Sequence, residues 1–207
     1  MTIYAQISIS TDGYLAGPEP SIEDPLGRGG MQLHEWAFRL RAWRGAHGLD
    51  GGEEGPESAW VEEIAERTGA SVMGRKMFSG GSGPWRSDPM GNGWWGEEPP
   101  FHAPVFVVTH HEREPLTLGE TTFHFVTDGL AAALERAREA APGRDVQIAG
   151  GGDVIGQVIG LGDLDELILH TAPVALGGGT SFPAFAQTEE IERIETPHAL
   201  HVRYRLR

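Results

Sequence analysis

The chain has 207 residues, enough for one domain with a proper core and short for two. It carries 30 acidic against 16 basic residues, a formal net charge of −14, and no cysteine. Such a surface repels nucleic-acid phosphates and anionic lipid, and the missing cysteines exclude disulfides, thiol nucleophiles and thiolate metal sites. The start, MTIYAQISISTDGYLAG, has neither a basic leader nor a long apolar core. No run approaches the roughly 18 apolar residues of a membrane span, so a cytoplasmic protein of one domain over 1–207 is expected.

In chain order, Tyr4 to Ile9 alternates and is rich in β-branched residues, a first strand, and Thr11-Asp12-Gly13 supplies a turn. Residues 17–34 are dense in Gly and Pro and read as loop. HEWAFRLRAWRGA (34–46) predicts one helix with Trp36, Leu40 and Trp43 on one face, and the polar stretch 48–58 a mobile surface loop. Ser58 as N-cap, Val61, Ile64 and Ala65 at helical spacing and Gly69 as a stop predict a second helix. SVMG (71–74) is a short buried-type strand, and 79–104 a long irregular stretch rich in Gly, Pro and Trp. VFVVTH (105–110) and FHFVTD (123–128) read as strands, and GLAAALERAREAA (129–141) as a helix closed by Pro142-Gly143. VQIAGGG and DVIGQVIG form a strand, turn and helix, and 164–176 holds a buried strand. In the tail, His201, Arg203, Arg205 and Arg207 alternate with Val202, Tyr204 and Leu206, as in an antiparallel hairpin at a sheet edge. This tempo implies an α/β sheet, mostly parallel, closed by that hairpin.

Ligands of open α/β sheets bind at the carboxyl ends of the strands, which singles out three turns. Gly150-Gly151-Gly152-Asp153 opens a helix whose first N–H groups attract anions, so it suits a pyrophosphate as well as it suits a plain tight turn. Gly74-Arg75-Lys76-Met77 carries the chain's one lysine beside an arginine, suited to a phosphate or to a solvated surface pair. Thr109-His110-His111 ends a strand, where successive side chains point to opposite faces and cannot share one metal; no metal site is expected. His34-Glu35 resembles an acid–base pair, but neighbours in a helix do not face each other.

Taken in order, SISTDGYLAG, SVMGRKMF, PVFVVTH, QIAGGGDVIGQVI and LDELILHTAPVALGGGTSFP resemble the dihydrofolate-reductase-like family. In particular they are similar to the bacterial proteins that join dihydrofolate reductase to the reductase domain of the riboflavin-pathway deaminase–reductase. The resemblance implies a three-layer sandwich with helices on both faces, NADPH as cofactor, and hydride transfer to a pterin-like or pyrimidine-riboside-like ring. It also implies a homodimer. Ile7, Ser8, Leu15, Ala16 and Gly17 would border the nicotinamide. Gly74, Arg75, Lys76 and Met77 would hold the adenosine ribose and its 2′-phosphate, with Thr109 and His110 by the adenine. Gly150, Gly151, Gly152, Asp153, Val154 and Ile155 would receive the pyrophosphate and nicotinamide end. Glu57 stands nearest the family's proton-donating acid, and His170 falls where a side chain nears the substrate ring. Trp36, Trp85, Trp94 and Trp95 are candidates to stack on a flat ring, or simply to fill core. The alternative is a nucleotide- or flavin-binding module of the same fold that has lost turnover.

Overall fold

The computed structural model describes residues 1–207 apart from 22, 82, 86–90, 94, 184, 186, 187 and 207; Trp94 and Arg207 therefore lie outside the described residues. The first half runs β1 (Ile3–Ser10), β2 (Tyr14–Ala16), a 3-10 turn (Gly30–His34), α1 (Glu35–Phe38), α2 (Arg41–Ala46), α3 (Pro56–Arg67), β3 (Thr68–Gly74) and α4 (Arg75–Ser79). Then come β4 (Val105–Val108), β5 (Leu116–Leu118), β6 (Thr121–Val126), α5 (Leu130–Ala140), β7 (Asp145–Gly150) and α6 (Gly152–Leu161). The chain closes with β8 (Glu166–Ala172), β9 (Thr180–Ser181), β10 (Thr188–Glu195) and β11 (Leu200–Leu206).

Nine of these strands form one sheet in the order β10-β11-β8-β1-β7-β3-β4-β6-β5. The pairs β8·β1, β1·β7, β7·β3, β3·β4 and β4·β6 are parallel, and the two ends are antiparallel. Alternation along the strands sorts two faces. Ile3, Ala5, Ala70, Val72, Val146, Ile148, Leu167 and Leu169 face α5 and α6, whose Leu130, Ala133, Leu134, Ala137, Val154, Ile155 and Val158 recur at helical spacing. On the other face Tyr4 and Ile168 meet Trp60 and Ile64 of α3, while Met73, Val105 and Val107 meet Phe78 of α4. Helices thus cover both faces of a mostly parallel sheet. The exposed edge strand β10 is studded with Glu189, Glu190, Glu192, Arg193 and Glu195, which blunts edge-to-edge pairing.

Three expectations change in detail, and one strand had none. The helix expected over 34–46 is two short helices, because Leu40 is extended (φ −75°, ψ 140°) and bridges Glu53. Burying Leu40 beside Trp36, Ala37 and Ala199 overrides the helical spacing. The 48–58 stretch is pinned rather than loose: Arg41 N–H donates to the Glu53 carbonyl, Glu53 N–H to Arg39, and Arg39 pairs with the Glu53 carboxylate at 2.9 Å. α3 starts earlier than expected, with Gly55 at the cap and Pro56 at the first turn, so Ser58 lies inside it and accepts from Ala42 N–H instead of capping. The hairpin partner β5 had no sequence signal; its three residues are too few to show a period.

Candidate functional site

The strand order reverses around β1, which has β7 on one side and β8 on the other, the place at whose carboxyl ends open α/β sheets bind ligands. β7 ends at Gly150, and Gly151 caps α6. Gly150 has φ 129°, a conformation that favours glycine, and a Cβ there would sit 3.0 Å from Met77 Sδ. The Gly150–Gly151 peptide is cis. A Cβ on Gly152 would lie 2.7 Å from Leu15 Cδ2, one on Gly74 3.0 Å from Val154 Cγ2, and one on Gly151 would meet nothing within 4 Å. Leu15, Gly74, Met77, Gly150, Gly151, Gly152 and Val154 therefore converge, with open space in front of Gly151. Of the first amides of α6, those of Val154 and Ile155 bond the Gly151 carbonyl, and those of Gly152 and Asp153 head the helix. Ile155 itself is core, with its side chain fully buried against the sheet. Ile7 packs on that same core, Ala16 is buried, and Gly17 is glycine because a Cβ would strike the Arg28 carbonyl at 2.1 Å.

Beyond the glycine turn, the adjacent cations part ways. Lys76 is exposed, whereas Arg75 is buried, bonds Ser79 and lays its guanidinium 3.8 Å from the Trp85 ring centroid. Arg113 lies 4.9 Å from the same ring. A cavity of about 570 Å³ opens there, lined by Pro84, Trp85, His110, His111, Glu112 and Arg113. Thr109, next to His110, is buried, its Oγ1 accepting from His111 N–H, and the His111 carbonyl accepts from Trp85 Nε1 at 2.9 Å. Aromatic surface flanked by two guanidiniums suits a purine with a phosphate attached. Trp95 is spent on packing: its Nε1 donates to Phe78 and its ring meets Phe101 and Phe123.

Across the crevice, Ser8 and His170 are paired positions on β1 and β8, and His201 of β11 pairs with His170. All three point toward α3. His170 Nδ1 lies 2.7 Å from His201 Nδ1, and His201 Nε2 lies 2.8 Å from Glu57 Oε1, which also accepts from Thr196 Oγ1 at 2.9 Å. Trp36 covers the cluster, its ring 4.4 Å from His170 and its Nε1 donating to Ser8 Oγ at 3.0 Å. Trp36 also lines a second cavity, of about 220 Å³, with Gln32, Glu35, Arg39, Pro173, Val174, Pro197 and His198. Glu57 thus reaches the crevice only through His201, two side chains behind His170, because it lies in the buried first turn of α3. His201 was missed as a site residue; its signal was the His-x-Arg alternation of the tail, which reads equally as a solvated strand face.

Burial first, then the neighbouring His201 and His34, push His170 well below the usual imidazole value; burial also lowers His201, against the raising effect of Glu57. A lowered histidine refuses protons that the unfolded chain accepts. Stability is therefore expected to fall as pH drops below about 6.5, by up to about 1.4 kcal/mol per pH unit for a group such as His170. Urea unfolding between about pH 7 and about pH 5 checks this. His170→Phe should flatten the slope, and an unchanged slope would clear His170 of that role.

Among the described residues no helix is long and apolar enough to cross a membrane, and no cluster of three or more metal-ligating side chains occurs. A family model described as the RibD C-terminal domain matches residues 1–203. No curated protein matches the chain in sequence. Among solved structures, a Shewanella sp. PV-4 protein named for riboflavin biosynthesis shares 19% identity at TM-score 0.61, covering 100% of this chain and 99% of its own. Enterococcus faecalis dihydrofolate reductase, complexed with NADP(H), shares 13% at TM-score 0.52, covering 99% and 95%. The Thermotoga maritima diaminohydroxyphosphoribosylaminopyrimidine deaminase/5-amino-6-(5-phosphoribosylamino)uracil reductase shares 11% at TM-score 0.59; all of this chain spans 56% of it. These likenesses establish the dihydrofolate-reductase-like fold that the motif order implied.

Proposed function

The chain belongs to the RibD C-terminal domain family, and from that premise we propose that it is an NADPH-dependent reductase of a planar, conjugated small molecule. The observation that carries this reading is the side-chain-free gap at Gly151, at the head of α6 and beside the strands where the sheet order reverses. A ligand that needs close approach to the backbone gains from such a gap, and amides at a helix start favour an anionic one. The cavity at Trp85, His110 and Arg113 fits the other end of the same dinucleotide.

When bound, NADPH supplies a hydride from its dihydronicotinamide ring. The chain's own residues bind, orient and exclude water. Gly151, Gly152 and Asp153 would meet the pyrophosphate, with Leu15 and Met77 as apolar walls. Arg75, Arg113 and the exposed Lys76 would favour the 2′-phosphate, and Thr109 with His110 would flank the adenine. Trp36 would face the substrate ring, with the buried His170 packed behind it.

Incubation with NADPH and a panel of pterins, pyrimidine ribosides, quinones and nitroaromatics, followed by nicotinamide absorbance, tests turnover. Saturable oxidation by at least one acceptor is expected. NADPH binding without oxidation by any of them would replace the enzyme with a binding module of the same fold. The same reading carries a cytoplasmic homodimer, and a monomer mass by light scattering would remove the dimer.

A further inference from the structure

The cavity of about 220 Å³ at Trp36 carries a charge balance that the reductase reading leaves unexplained. Trp36, Pro173, Val174 and Pro197 give it apolar walls, and with histidines neutral at about pH 8 its charged side chains are Glu35 and Arg39. These stand four residues apart, the spacing at which opposite charges pair along a helix. Here they do not pair. Arg39 turns instead to Glu53 at 2.9 Å, and the Glu35 carboxylate has neither an ion pair nor a hydrogen bond among the described residues. The one unbalanced charge at the cavity is therefore negative, and the net charge of −14 around it has the same sign. We propose that this cavity is the acceptor pocket and that it selects a small, cationic, phosphate-free planar heterocycle, with Glu35 setting the sign of the charge. The proposal rests on the reductase reading for the hydride step alone.

Size points the same way. A cavity of about 150 Å³ holds one benzene, so about 220 Å³ takes a single ring or two fused rings, without a sugar phosphate beside them. A phosphate would also meet no unpaired cationic side chain there and would stand against Glu35. Position fits an acceptor as well. Pro173 and Val174 follow β8, and the Val174 carbonyl accepts from Thr11 N–H at 2.8 Å, just past the end of β1. β8 and β7 flank β1, so the cavity lies beyond the end of one neighbour of β1 and the glycine turn beyond the end of the other.

A cationic acceptor also needs no proton from the protein. A hydride added to the carbon of a C=N⁺ bond sends the π pair to nitrogen and leaves a neutral amine; the hydride is that of NADPH, which becomes NADP⁺. This matters because Glu57 and His170 line neither cavity. An iminium or an N-alkylated aromatic heterocycle therefore matches the pocket in size, planarity and charge.

Calorimetric titration of the full chain without cofactor, at about pH 8, compares one bicyclic ring in three charge states: N-methylquinolinium, quinoline and quinaldate. The cation is expected to bind tightest and quinaldate weakest. Glu35→Gln should weaken N-methylquinolinium about fivefold, the upper worth of an exposed ion pair, and leave quinoline within about twofold. Glu35 is exposed and its carboxylate bonds nothing among the described residues, so the variant should fold like the parent. Glu35→Lys should reverse the order in favour of quinaldate, which places the probes at this cavity. Equal affinities for the three probes, or no saturable binding of the cation, overturn the proposal, as does an unaltered order in Glu35→Lys. So does quinaldate binding tightest to the parent, which would assign the cavity to Arg39, whose buried Nε has no partner among the described residues. In turnover with NADPH, Glu35→Gln should raise KM for N-methyldihydroisoquinolinium about fivefold and leave kcat within about twofold. The expected binding order with no acceptor reduced would instead count against the reductase reading and leave the cation site standing.

Discussion

Gly151→Val is expected to weaken NADPH binding by about 100-fold or more, about 2.8 kcal/mol, with little change in thermal stability. The reason is spatial. A side chain at Gly151 meets no protein atom within 4 Å, and its φ of −77° is open to any residue, so the folded chain accepts it. The same side chain fills the space in which the pyrophosphate would approach the amides of Gly152 and Asp153. Gly150→Ala is the contrasting control. Its φ of 129° is a conformation L residues rarely adopt, so that change is expected to destabilise the fold by about 1–3 kcal/mol. Calorimetric titration and thermal melts of both variants separate the two roles. If Gly151→Val binds NADPH like the parent, the glycine turn is structural.

Arg75→Gln is expected to reduce the preference for NADPH over NADH by about 10- to 100-fold, the worth of one charge-assisted contact of about 1.5–3 kcal/mol. Arg75 also stacks on Trp85 and bonds Ser79, so its loss loosens the cavity wall for both cofactors. The ratio of the two dissociation constants cancels that shared effect and reads the 2′-phosphate alone. Arg113→Gln should move the ratio in the same direction. Equal losses for NADPH and NADH in both variants would remove the guanidiniums from 2′-phosphate recognition.

Much of this architecture was legible because it rests on local periods and turn chemistry. α5 and α6 follow from apolar residues at helical spacing, and the glycine turn from its place between an apolar run and a helix. The break at Leu40 was not legible, since it depends on a bridge to Glu53 and on Ala199 from the other end of the chain. The same holds for the site. Leu15, Gly74, Met77 and the three glycines meet because β3 and β7 are neighbours in the sheet and Leu15 of β2 packs on Gly152. The different settings of Arg75 and Lys76 were not legible from adjacent letters: one cation is buried on a tryptophan and the other faces water. Trp85, a candidate for the substrate ring, lines a cavity with His110. His201 and the route from Glu57 to His170 depend on antiparallel pairing of β11 with β8, which no spacing in the sequence encodes.

The central claim is that the crevice between the glycine turn and Arg75 holds NADPH. Isothermal calorimetry of the purified chain with NADPH and with NADH tests it most directly. Saturable binding of NADPH below the millimolar range, tighter than NADH, is the expected result. No saturable heat with either cofactor, at concentrations where the chain remains folded, would contradict it.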